Sequence, residues 1–426
     1  MFDHSTPSNI NSTPSNINST PPQQLRIFEE QPPLQKSKTS YTGYAKSAVL
    51  SQWQKCLQKQ QFEEACHWTT EMDASGWQDE IWQKLILYAS KHVHLHCPKL
   101  PSLMARNFAF YNLYVTKHFK TRSLPQHQPR NNSSLRQNMC QMIGLVTLSS
   151  KGPVYALPQI DIFKVNEADL VTGTHAWLMP HKTNSDNTVV VQMLSTIMCH
   201  VEAKSTHKVI YWMSVLVEYD KHQKKNKTPV TMTPRKPLLP DDSFYKHVYL
   251  DNAHACDWVW LMWSGLAQAS IAFHRHPDCL KAIKGLSYLF AVDYTTSKRN
   301  ARMPILIHAL ELVCAEADWT SSVYASVDEM MIEKACMNIH VMYTDIMDKR
   351  LQLVQHQLTT TSETTAQVCN NNASSNPQTK ETKQQTKETK QPMLNKPCSK
   401  PNTNRMSIDS SKKIDIFNAI DDVFLK

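Results

Sequence analysis

The sequence predicts a mainly α fold, a multi-helix array or bundle between disordered tails, with one irregular excursion near residues 150–190. Three observations predict it. Only seven glycines occur in 426 residues, whereas a turn-rich all-β chain needs glycine at its many tight turns. Between about residues 41 and 355, apolar side chains recur every three to four positions, the period of a helix that buries one face. Both ends switch abruptly to Ser, Thr, Asn, Gln, Pro and Lys.

Taken in order, residues 1–40 carry "STPSNIN" twice, at Ser5 to Asn11 and Ser12 to Asn18. Such a segment buries too little apolar area to offset chain entropy, so disorder is expected. Val49, Trp53, Cys56 and Leu57 form a first helical stripe. Phe62, Ala65, Cys66, Thr69 and Met72 form a second, with Gly76 placed to end it. Ile81, Leu85, Ala89 and Val93 form a third, stopped by Pro98. The segment holding "PVYALPQIDIF" mixes prolines with β-formers and predicts an extended excursion. Further helices are predicted in "TVVVQMLSTIMCHVEA", "HKVIYWMSVLVEYDK", "CDWVWLMWSGLAQASIAFH", "CLKAIKGLSYLFAVDY" and "PILIHALELVCAEA". A last one covers "VDEMMIEKACMNIHVMYTDIMDKRLQLVQHQ". Residues 356–412 read as a disordered polar linker, in which "TKETKQ" recurs at Thr379 and Thr386. Residues 413–426 read as a short amphipathic helix.

Composition excludes several functions. No two glycines have P-loop spacing, and neither G-x-G-x-x-G nor G-x-S-x-G occurs, so the common nucleotide loops and the hydrolase elbow are missing. The 11 cysteines include no C-x-x-C pair, and "MFDHSTPSNIN" shows no basic-then-apolar signal segment. Reduced thiols in an intracellular compartment are therefore expected. No apolar run is long enough to span a membrane. The formal charge of +9 fits contact with an anionic partner.

Each candidate site has a bland counterpart. His92, His94, His96 and Cys97 would share a face on a strand and could hold zinc, but on a helix the three imidazoles fan out. Polar residues at a fraying helix end are the preferred reading. His254 and Cys256 are separated from His274, His276 and Cys279 by a predicted helix about 25 Å long, too far to share an ion. No metal or cofactor is expected. Trp258, Trp260 and Trp263 could stack on bases, but their spacing in an apolar helix favours core packing. No catalytic triad stands out.

The basic segments are the candidate nucleic-acid contacts. "YDKHQKKNKTPVTMTPRKP" holds Lys221, Lys224, Lys225, Lys227, Arg235 and Lys236, and "SKRNAR" holds Lys298, Arg299 and Arg302. "KHFKTR", from Lys117 to Arg122, is a third. All are expected in loops between helices, where they could grip phosphates or simply be solvated. The terminal "SKKIDIFNAIDDVFLK" offers a candidate docking edge of Ile414, Ile416, Phe417, Ile420, Val423 and Phe424. "KIDIF" resembles the short peptide by which replication proteins bind sliding clamps, without its leading Gln.

"FEEACHWTTEMDASGWQDEIWQKLILYASKHVHLHCPKL" resembles the start of the helical C-terminal, collar-like region of clamp-loader-like AAA+ proteins of the MgsA/WRNIP type. Ala65, Trp68, Gly76, Leu85, Ala89, Ser90 and Pro98 carry the likeness. Lys91, His92 and His94 depart from the family's acidic pair and glycine. The likeness spans about fifty residues within 41–125, and residues 126–355 read as a helical domain continuous with it. "LVTLSSKG", "DWVWLMW" and "RNARMPILIHALELVCAE" resemble in style segments of uncharacterised proteins from large double-stranded DNA viruses. The resemblance implies an oligomerising module without its ATPase, an accessory of viral DNA replication or repair acting in host cytoplasm or nucleus. The expected function is a non-enzymatic interaction or scaffold protein that contacts DNA or a sliding clamp. A virion-associated structural protein and an enzyme of unrecognised type are the alternatives.

Overall fold

A computed structural model describes residues 38–120, 128–246, 248–273 and 276–372. The N-terminal duplications, the "TKETKQ" repeat and the entire candidate docking edge lie outside these residues. So do the last two residues of "KHFKTR" and His274. By packing, the chain divides into residues 1–363 and residues 364–426. Of the second unit, only 364–372 are described, and they are helical.

The first unit is built from helices. α1 (Lys46–Gln58), α2 (Phe62–Ala74) and α3 (Gln78–His92) bury every member of the three predicted stripes. Gly76 has φ +76°, a left-handed conformation open to glycine at little cost, and it reverses the chain between α2 and α3. α4 (Leu100–Lys120), the short α5 (Gln128–Asn131) and α6 (Ser133–Leu148) follow. The apolar spacing noted above did not single out these three. α6 starts where the Asn132 side chain accepts the Leu135 N–H.

Residues 149–187 form the irregular excursion, with single 3-10 turns at Ile162–Lys164, Glu167–Asp169 and Met179–His181. α7 (Thr188–Glu202) then pairs with α8 (Thr206–Lys225). A second irregular stretch leads to α9 (Asn252–Ala255), α10 (Val259–Ala272), α11 (Pro277–Ala291), α12 (Arg299–Cys314) and α13 (Glu329–Asn372). No strand occurs among the described residues; Thr39 and Ala45 make one isolated bridge.

One apolar core draws on α1–α4, α6–α8 and α10–α13. α11 lies against α4 and α12, and α12 lies against α3. Trp258, Trp260 and Trp263 are at most 1% exposed, so they are core residues. Trp260 Nε1 donates to the His254 carbonyl at 2.8 Å.

Three boundaries differ from expectation. α8 continues through Lys225, so Lys221, Lys224 and Lys225 stand on a helix and not in a loop. α12 begins at Arg299, upstream of Pro304, so Arg299 and Arg302 are also helical. Pro304 is tolerated because the carbonyl it leaves without a helical donor belongs to Asn300, an exposed residue. α13 runs to Asn372, well into the expected linker that starts at residue 356. No proline or glycine interrupts that stretch; the next is Pro377.

Candidate nucleic-acid interface

The nine predicted cations divide by what the fold places beside them. Arg299 is 3% exposed and is not a surface group. Its guanidinium bonds the Asp220 carboxylate of α8 and both oxygens of Asp257, at 2.9 and 3.0 Å. Tyr294 donates to the same Asp257 at 2.7 Å. Burial opposes the Arg299 charge, but Asp257 and Asp220 more than offset it and raise the pKa. The residue clamps α12 to α8 and to the turn before α10, which corrects its assignment as a phosphate contact.

Arg235 is similarly committed. It bonds the Asp186 carboxylate and the carbonyls of His181 and Thr233, at 2.9 and 2.8 Å. Burial alone would raise the Asp186 pKa; Arg235 and the Thr183 and Thr233 N–H groups hold it down to about 2. Arg302 donates to the carbonyls of Phe290 and Val292, and Lys298 donates to the Asp293 carbonyl at 2.9 Å, so both cap the end of α11. Both also line a cleft of about 180 Å³ floored by Ile86, Phe108, Leu289 and Ile305.

The remaining lysines are surface groups. At the end of α8, Lys221 pairs with Glu218 at 2.5 Å, and Lys224 pairs with Asp220 at 2.8 Å while remaining 43% exposed. Lys225, Lys227 and Lys236 are exposed and form no ion pair among the described residues. Lys227 has φ +61° and turns the chain out of the helix. The helix C-terminus favours cations here because its last carbonyls carry partial negative charge.

One surface residue escaped sequence reasoning. Phe163, in the 3-10 turn Ile162–Lys164, is 81% exposed and meets His222 of α8 edge-on, with ring centroids 5.3 Å apart. Ile160, Ile162 and Val165 pack on the core, and the Asp161 carboxylate accepts the Phe163 N–H at 3.2 Å. Those contacts leave Phe163 pointing outward, between Lys164 in sequence and His222 of α8 in space. The available signal was "IDIFKV", where four apolar residues in six positions cannot all face one way.

The histidine cluster also departs from expectation. His94 does not fray into solvent; it is 2% exposed, with φ +22°. Its Nε2 lies 3.0 Å from the Pro153 carbonyl, and its Nδ1 lies 3.5 Å from Glu311 Oε2. Its ring centroid is 6.3 Å from that of His308. Gly152 covers it so closely that a Cβ there would stand 2.5 Å from the imidazole. Lys151 anchors this strap by donating to the carbonyls of Val146, Thr147 and Ser149. Burial pushes Glu311 up to about 8 and His308 down to about 3, and lowers His94. With all three 2% exposed, the cluster is closed to substrate, and its neutral forms suit its burial. Among the described residues no three His, Cys, Asp or Glu side chains gather to hold a metal ion, and no helix is long and apolar enough to cross a membrane.

No protein-family model, curated protein or solved structure matches this chain.

Proposed function

We propose that this protein is a non-enzymatic helical interaction protein that contacts nucleic acid through the lysines at the end of α8. One observation carries the reading: Lys221, Lys224, Lys225 and Lys227 crowd the last turn of α8 and its exit, exposed and only half neutralised by Glu218 and Asp220. Such a cluster can replace counterions along a phosphate backbone, which makes binding steeply dependent on salt. An accessory role in DNA replication or repair, with the terminal "KIDIF" segment recruiting a sliding clamp, extends this reading and rests on sequence resemblance.

The test is fluorescence anisotropy with labelled DNA over a salt series. About four phosphate contacts imply a loss of roughly a hundred-fold in affinity between 50 and 200 mM salt. Lys225→Ala with Lys227→Ala should reduce the log–log salt slope by about two. A protein that ignores DNA at low salt ends the nucleic-acid reading. A pull-down with and without the last sixteen residues tests recruitment of a clamp.

A further inference from the structure

Phe163 is conspicuous because every other large apolar residue of its turn is used. Ile160, Ile162 and Val165 hold the turn against the core, and Asp161 caps it. His222 supports the Phe163 ring edge-on, with an interplanar angle of 89°. Most of the ring remains in water at 81% exposure, at a loss of roughly the free energy that burying it would return. Lys164 follows it in sequence and pairs with Asp161, and on α8 Lys225 stands one turn after His222 on the same helix face.

We infer that Phe163 is a stacking platform for an unpaired base, with Lys164 and Lys225 holding the flanking phosphates, so that this surface selects single-stranded over duplex nucleic acid. The inference rests on the function proposed above and specifies its ligand. A supported aromatic ring beside a row of cations is the arrangement by which unpaired strands are bound without regard to sequence, since every base offers a π-face. In a duplex the base faces are occupied by their neighbours, and only the phosphates remain for the lysines. An anionic membrane is the rival ligand for lysines beside an aromatic. Immersion in lipid, however, needs a wide apolar face, and here Ile160, Ile162 and Val165 are turned away to the core.

The test compares Phe163→Ala, Phe163→Trp and the charge reversal Lys225→Glu with Lys227→Glu in the full chain. Each is titrated with labelled oligothymidylate, a duplex of equal length, and phosphatidylserine-containing vesicles at low salt. Phe163→Ala should weaken oligothymidylate binding roughly 5- to 100-fold, the range for one lost stacking contact. It should leave duplex binding and the melting temperature unchanged, because the ring is exposed. Phe163→Trp should retain or improve binding, and the charge reversal should weaken both nucleic acids. If Phe163→Ala leaves oligothymidylate binding intact while the charge reversal abolishes it, stacking is refuted and nucleic-acid contact survives. Binding of the wild type to neither nucleic acid overturns both readings. A Phe163→Ala defect confined to vesicles assigns the surface to membrane and overturns the inference.

Discussion

Glu311 gives the sharpest test of the buried cluster. Its carboxyl is 2% exposed, its Oε1 has no hydrogen-bond partner, and its Oε2 lies 3.5 Å from the His94 imidazole. Burial holds its pKa at about 8, against an ordinary value of 4.5. Below about pH 4.5 the folded and unfolded chains both carry this proton, and the group imposes no penalty. Above that the unfolded chain ionises freely while the folded chain keeps its proton until about pH 8. Folding therefore loses about 1.4 kcal/mol per pH unit across this window. The full gap corresponds to at most about 5 kcal/mol. Glu311→Gln keeps the shape and cannot ionise. Urea unfolding between pH 5 and 8 should show the wild type losing this stability and the variant keeping it, so that Glu311→Gln is the more stable protein at pH 8. Parallel stability curves for the two proteins across that range would refute a buried neutral carboxyl.

His308 should act on the acid side. Its folded pKa is lowered to about 3 from 6.5, so its contribution is present above about pH 6.5 and is lost as pH falls toward 3. His308→Phe should flatten that arm in the same urea series. Trp82, 1% exposed, should lose about 3–5 kcal/mol on substitution by Ala. Trp68, only partly buried against Tyr44, should lose about 1–2 kcal/mol; equal losses in thermal melts would contradict this difference in packing. Arg299→Ala leaves Asp257 buried without its cation and Asp220 with only Lys224, and should destabilise by about 3–5 kcal/mol. Charge reversal at Lys225 and Lys227 should lower stability only slightly, by about 0.3–1 kcal/mol for each charge at the α8 C-terminus, since both are exposed.

Much of the helical architecture was legible in advance. The stripes through Val49, Phe62 and Ile81 are local patterns, and burying one helix face requires nothing else to read them. The aromatic run from Trp258 to Trp263 was likewise recognisable as core, because its spacing suits packing and its neighbours are apolar. α4 and α6 were harder, since Asn107, Asn112, Asn138 and Arg136 interrupt their apolar faces. The Nδ2 groups of Asn107, Asn112 and Asn138 are buried without a hydrogen-bond partner among the described residues, whereas Arg136 is held by its surroundings. It donates to the Arg130 carbonyl at 2.6 Å and stacks over Tyr343 of α13.

By itself the sequence determined the class of the fold, because helical period and glycine scarcity act over a few residues. It also marked the chain as basic and located the segments in which its cations lie. Only the tertiary structure decided which cations are free. Lys298 and Arg299 are neighbours in one basic run, yet one faces water while the other is enclosed by carboxylates 42 and 79 positions away. The same holds for Phe163, turned outward because Ile160, Ile162 and Val165 claimed the core, and for His94, sealed by Gly152 and Glu311. A charge or a ring is used according to what the fold brings next to it, and that is set by contacts between remote segments.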